Sequence, residues 1–169
     1  MAKKKNNLGN VLNLLAIVLG VAAVCMLFLT NFVVTDSATG ALSENYTGLQ
    51  TVFGYATENS TYLMFSFMNL LPYLLVIVAV VLLTLKVAKI SKCKLLDLIS
   101  AGCFIVAGIL FFFTTNFVIL SEGYVDTIKV ANLIKTVVST SLGFGAIIAA
   151  ISSILAGTFV VVSKFISKK

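Results

Sequence analysis

A chain of 169 residues that is 60% hydrophobic and only 11% charged cannot cover a core in water; soluble domains run at roughly 45–50% apolar and about 25% charged. The net charge of +6 comes from twelve lysines and no arginine. Without a guanidinium to fork onto a phosphate or a base edge, and with lysines at the ends of apolar runs rather than along a face, nucleic acid is excluded as a partner.

Lys3, Lys4 and Lys5 open the chain, and thirty residues without a charge follow, from Asn6 to Thr35. That run is too long for the apolar region of a signal peptide, 7–15 residues. About 20 residues cross a bilayer, so a first span is expected at 8–34, with tilt or protrusion taking up the excess. Residues 35–61 form a long outer connection carrying Asp36, Glu44 and Glu58. Within Tyr46–Tyr55, the alternation of Leu49, Phe53 and Tyr55 fits a short β-hairpin or an irregular loop lying on the bundle. Asn45-Tyr46-Thr47 and Asn59-Ser60-Thr61 fit the glycosylation pattern; in a bacterial chain such matches arise by chance.

A second span is expected at 62–85. Its single proline, Pro72, removes a backbone donor, leaves the carbonyl of Met68 unpaired and predicts a kink. Ser66 and Asn69 are close enough to re-satisfy that backbone. The inner loop 86–94 carries Lys86, Lys89, Lys92 and Lys94, placed to meet anionic lipid headgroups at about 1 kcal/mol each. A third span follows at 95–120. In the second outer connection, 121–135, Tyr124, Ile128, Ala131 and Ile134 recur at helical spacing and predict a short interfacial helix. The fourth span is expected at 136–162, and Lys164, Lys168 and Lys169 close the chain.

Four spans put ten of the twelve lysines on one side and five of the six acids on the other. Cytoplasmic segments collect lysine. The expected fold is therefore all-α, a four-helix transmembrane bundle, N-in/C-in, forming a single integral domain with a long first extracellular loop. Arg-free and Trp-free usage fits an AT-rich bacterial genome, which places the bundle in a bacterial plasma membrane.

Two patterns stand out within the spans. Thr30-Asn31-Phe32-Val33 ends the first apolar run and Thr115-Asn116-Phe117-Val118 ends the third. Two parallel helix hairpins would produce such an echo, with Asn31 and Asn116 facing each other near the outer interface. Gly145, Ala149, Ser153 and Gly157 recur every fourth residue. Small residues let helices approach closely in lipid, so this ladder is expected to pack on another helix of the chain, with Ala101-Gly102 and Ala107-Gly108 as partners, or on another subunit.

No charged residue lies deep in a span, which argues against ion-coupled transport. There is no histidine, no Walker loop, no HExxH and no GxSxG. Cys25, Cys93 and Cys103 fit neither a metal motif nor an outer disulfide. The chain is read as a non-enzyme without a cofactor. Two functional classes remain. One is a structural or assembly protein, a homo-oligomer or a subunit of a membrane complex. The other is a homo-oligomeric channel lined by Ser66, Asn69, Thr84 and Thr114.

Thr47-Gly48-Leu49-Gln50-Thr51-Val52-Phe53-Gly54 and the run Phe111-Phe112-Phe113-Thr114-Thr115-Asn116-Phe117-Val118 resemble segments of uncharacterised four-span membrane proteins of low-GC Gram-positive bacteria. That resemblance implies no activity. The layout also resembles the claudin-type tetraspan, with both termini inside and a long first outer loop. Claudins carry tryptophan and two outer cysteines there; this chain has Gln50 after Gly48-Leu49 and neither of those features. The likeness implies architecture alone.

Overall fold

A computed structural model describes residues 2–36, 43–58, 60–88, 90, 95–123 and 138–168. The chain divides into two compact units.

The first unit comprises Met1–Cys25, Leu71–Leu110 and Ala149–Lys169. It draws on four helices: α1 (Ala2–Cys25), α3 (Phe67–Val87), α4 (Leu96–Phe112) and α6 (Phe144–Lys168). Three of the four are long and apolar enough to cross a membrane; α4, at 17 residues, is shorter. The interior is built from small side chains. On α1, Gly9, Asn13, Ala16, Gly20 and Ala23 are buried, a four-three spacing that keeps one stripe facing neighbours. A Cβ at Gly20 would stand 2.5 Å from Val80 and 2.8 Å from Phe104, so α1 sits directly against α3 and α4. Gly108 meets the carbonyl of Ala150 in the same way, and Gly157 meets the carbonyl of Ala101, closing α4 onto α6. Outward, Val18, Val21, Ile77, Val81, Ile109 and Leu155 are exposed. Such an apolar surface needs lipid or protein against it.

The second unit comprises Met26–Leu70 and Phe111–Ile148. Among the described residues its elements are β1 (Thr30–Asp36), β2 (Ser43–Thr47), α2 (Gly48–Phe53), β3 (Tyr55–Thr57), β4 (Ser60–Met64), α5 (Thr114–Phe117), β5 (Ile119–Leu120) and β6 (Val138–Leu142). They form two antiparallel sheets, ordered β2-β1-β6 and β3-β4-β5. Phe32, Val34, Tyr46 and Leu63 make the core, with Tyr55, Tyr62, Val118 and Leu120 packed around it. Burial of each large side chain is worth about 1.5–3 kcal/mol.

The all-α expectation is thus corrected: the chain is mostly helical but carries two small sheets. The error sits at the ends of the expected spans. Residues 30–34 belong to β1 rather than to the first helix, 62–64 to β4, 119–120 to β5 and 138–142 to β6. A charge-free run reads the same whether it is helix or strand. In β1, Phe32 and Val34 are buried while Val33 and Thr35 are less so, the period of two that a half-buried strand shows. The last residues of the expected first span, 30–34, are thus strand, and its helix ends at Cys25.

The expected hairpin also moves. Gly48–Phe53 is helical, because Thr47 and Gln50 form a reciprocal capping box. Thr47 N–H donates to Gln50 Oε1 at 2.8 Å, and Gln50 N–H donates to Thr47 Oγ1 at 3.4 Å. Gly54, at φ 90°, ends that helix, in the left-handed region that favours glycine. The tight hairpin is β3–β4, turning near Glu58. The interfacial helix expected around Tyr124–Ile134 lies outside the described residues.

Candidate functional site: a tyrosine-lined cleft

Residues flagged by sequence fall into several settings. Gly145 is packed against Leu29, Thr30 and Asn31 in the second unit; a Cβ there would stand 3.0 Å from Leu29 Cβ. Ala149 and Ser153 are fully buried, and Gly157, on α6, packs against Ala101 and Ile105 of α4. All four ladder positions are thus occupied by this chain. Pro72 is buried in the second turn of α3, which runs through it without interruption. Ser66 caps that helix: its Oγ accepts from Asn69 N–H at 3.3 Å and donates to the carbonyl of Phe117 at 2.6 Å.

The echoed tetrapeptides take different structures. Asn31 is buried on strand β1, while Asn116 is exposed on the short helix α5. The symmetric placement expected of them is not what the chain adopts. Tertiary pairing decides between the two conformations: Phe32 and Val33 have β2 and β6 to pair with.

Lys86 is engaged within the protein. Its Nζ donates to Asp97 Oδ1 across the connection between α3 and α4. It is therefore not simply a lipid contact. Lys89, Lys92 and Lys94 lie outside the described residues.

The candidate pore-lining hydroxyls and amide are also engaged. Asn69 Nδ2 donates to the carbonyl of Thr51 at 3.3 Å, and Thr114 Oγ1 donates to that of Phe111 at 2.8 Å. Thr84 Oγ1 donates to the carbonyl of Val80 at 2.7 Å, one turn back on its own helix.

The concave site of the second unit went unforeseen. It is a cleft of about 240 Å³ lined by Glu44, Asn45, Tyr46, Gln50, Tyr55, Thr57 and Tyr62. Strand β2 supplies Glu44 and Tyr46, two residues apart and so on one face. Tyr46 Oη donates to Glu44 Oε2 at 2.5 Å, which fixes the carboxylate at the cleft. Helix α2 supplies Gln50, whose Oε1 is held by the capping box. The β3–β4 hairpin supplies Tyr55, Thr57 and Tyr62. Tyr46 and Tyr55 meet edge to face, centroids 5.9 Å apart at 64°, and Tyr55 and Tyr62 lie 5.8 Å apart at 33°. These separations and tilts are favourable for aromatic pairs.

One sequence signal pointed here. Three of the chain's five tyrosines fall between positions 46 and 62, beside an acid at 44. Among the described residues the lining offers phenol groups, amides, a threonine hydroxyl and one carboxylate. Among the described residues no three His, Cys, Asp or Glu side chains gather as a metal site would require. In comparison with known proteins, no family model and no curated protein matches the chain.

Proposed function

We propose that this chain is a non-enzymatic, multi-pass protein of the bacterial plasma membrane with an assembly role. Its four helices form a transmembrane bundle with both termini inside. Its second unit stands outside and engages a partner chain or complex. The lysine distribution supports that orientation, and the exposed apolar residues of the helices support lipid as their surroundings.

The observation that carries the assembly reading is how the helix faces are occupied. The small-residue ladder of α6 packs on this chain itself, so it leaves no obvious seam for a second subunit in the membrane. What remains for recognition is the folded outer unit with its tyrosine cleft. A homo-oligomeric channel has less support, because Ser66, Asn69, Thr84 and Thr114 each donate to a backbone carbonyl.

Native mass spectrometry of the mildly solubilised full chain tests this reading. A stable complex, with a partner chain or with further copies, is the expected result. A monomer that carries nothing through extraction and purification would contradict it.

A further inference from the structure

We infer that the second unit is itself seated in the outer leaflet, through a collar of exposed phenylalanines at the end where the apolar helices leave it. The inference rests on the proposed reading only in taking those helices to cross the bilayer. It adds a lipid surface as a partner of the second unit.

Four observations converge. First, each of the four apolar helices ends in phenylalanine where the chain enters or leaves the second unit. The candidate spans are Leu8–Phe28, Phe67–Val87 and Phe144–Ile166, and the shorter apolar helix is Leu96–Phe112. Phe28, Phe67, Phe112 and Phe144 all belong to the second unit, and all four are exposed.

Second, the apolar surface continues onto elements that span nothing. Helix α2 has only six residues, yet its Phe53 is 58% exposed, and its ring lies 6.4 Å from that of Phe65, also exposed. Phe65 is two residues from Phe67, the first residue of a candidate span. Met64, next to Phe65, and Ile119, its register partner on β5, are exposed as well.

Third, polar backbone at the collar is satisfied from within. Ser66 N–H donates to the Val52 carbonyl at 2.9 Å, and Gly54 N–H donates to that of Gln50 at 3.0 Å. Ser66 Oγ donates to the carbonyl of Phe117 at 2.6 Å. Hydrocarbon offers no water to an orphaned group, so backbone outside a long helix is tolerated there only when the protein pairs it.

Fourth, the β3–β4 hairpin changes character along its length. Thr57, Glu58, Ser60 and Thr61 are exposed at its turn, and Met64 and Phe65 at its other end. Ser60 to Met64 is about 13 Å of strand, enough to cross a headgroup layer of about 5–8 Å. The turn suits water and the opposite end suits acyl chains. Phenylalanine has no polar handle to hold it at the headgroups, as tyrosine and tryptophan have, so the collar belongs just inside the hydrocarbon. A protein partner would have no reason to cover a patch that begins where the spans begin.

The chain contains no tryptophan, so a single introduced indole reports its own surroundings. Phe53→Trp, Phe65→Trp and Ile119→Trp probe the collar in the full chain. Glu58→Trp at the hairpin turn and Ile77→Trp in the middle of α3 serve as references. Each variant is reconstituted in phosphatidylglycerol vesicles whose acyl chains are plain, brominated near the carbonyl or brominated near the terminal methyl. Acrylamide is added separately as the quencher from water. Bromine near the carbonyl should quench the three collar indoles by about twofold or more, bromine near the methyl should quench them less, and acrylamide should barely reach them. Glu58→Trp should respond to acrylamide and not to bromine. Far-ultraviolet circular dichroism confirms folding, and three collar positions keep the test decisive if one variant misfolds.

Collar indoles quenched by acrylamide and not by bromine would overturn the proposal by placing the unit clear of the bilayer. Collar indoles quenched by neither would overturn it by showing protein over the patch, from a second copy or another chain. Ile77→Trp separates this outcome from the spanning reading. Bromine quenching at Ile77 alone would keep the spanning helices and remove the collar. Quenching at the collar and not at Ile77 would leave the unit on lipid and remove the spanning helices.

Discussion

Lys86, in the last turn of α3, and Asp97, in the first turn of α4, are joined by a hydrogen-bonded ion pair. Each charge also suits its helix end, a cation at a C-terminus and an acid at an N-terminus. The pair pins the two helices together at their connection. The side chains are unequally exposed, 30% for Lys86 and 12% for Asp97, and that asymmetry makes a prediction. Asp97→Asn leaves a lysine that can reach water or a headgroup, at a cost of about 0.5–1 kcal/mol. Lys86→Met strands a mostly buried carboxylate, at about 1–3 kcal/mol. Thermal unfolding in one detergent should rank Lys86→Met below Asp97→Asn, and the exchange Lys86→Asp with Asp97→Lys should recover part of the loss.

Close helix packing predicts which glycines tolerate a side chain. A Cβ at Gly108 would lie 3.0 Å from the Ala150 carbonyl, and one at Gly157 would lie 3.2 Å from that of Ala101, with isoleucine closer still in both cases. Gly108→Ala and Gly157→Ala should each destabilise by about 1–3 kcal/mol. Gly102 on α4 meets nothing within 4 Å, so Gly102→Ala should be neutral or stabilising by about 0.5–1 kcal/mol. Thermal melts of the three variants check the pattern, which would be absent if α4 and α6 were not in contact.

Ser153 is fully buried on α6, and its Oγ has no hydrogen-bond partner among the described residues. An unsatisfied buried hydroxyl is costly. Ser153→Ala should therefore hold or raise the melting temperature, although it sits within the same ladder as Gly157.

The capping box predicts a local effect on the second unit. Thr47→Val keeps the shape and removes the oxygen that accepts from Gln50 N–H. About 1 kcal/mol of stability should be lost. Because Gln50 lines the cleft, amide exchange should rise over residues 48–53 while helices α1 and α4 stay protected.

Much of the helical unit was legible in the sequence, and the second unit was not. Runs without charge and clustered lysines mark helices by solvent preference, which needs no partner to be known. The strands needed one. Thr30–Val33 and Thr115–Val118 share four residue types in order, yet one pairs in a sheet and the other winds into a helical turn. Local composition could not decide between them. The Thr47–Gln50 box was readable by spacing alone, as a threonine followed three residues later by glutamine; the alternation of Leu49, Phe53 and Tyr55 pointed the other way. The cleft depends on β2 and the β3–β4 hairpin meeting around Tyr55, a relation between positions 44 and 62 that no periodicity encodes.

The central claim is that the helices cross the bilayer and leave the second unit outside. Single-cysteine labelling in intact cells tests it most directly. With Cys25, Cys93 and Cys103 replaced by serine, Glu58→Cys in the exposed β3–β4 turn and Ile90→Cys after α3 are treated with a membrane-impermeant maleimide. Labelling at position 58 in intact cells, and at position 90 only after lysis, is the predicted result. Equal labelling of both positions in intact cells would contradict the account.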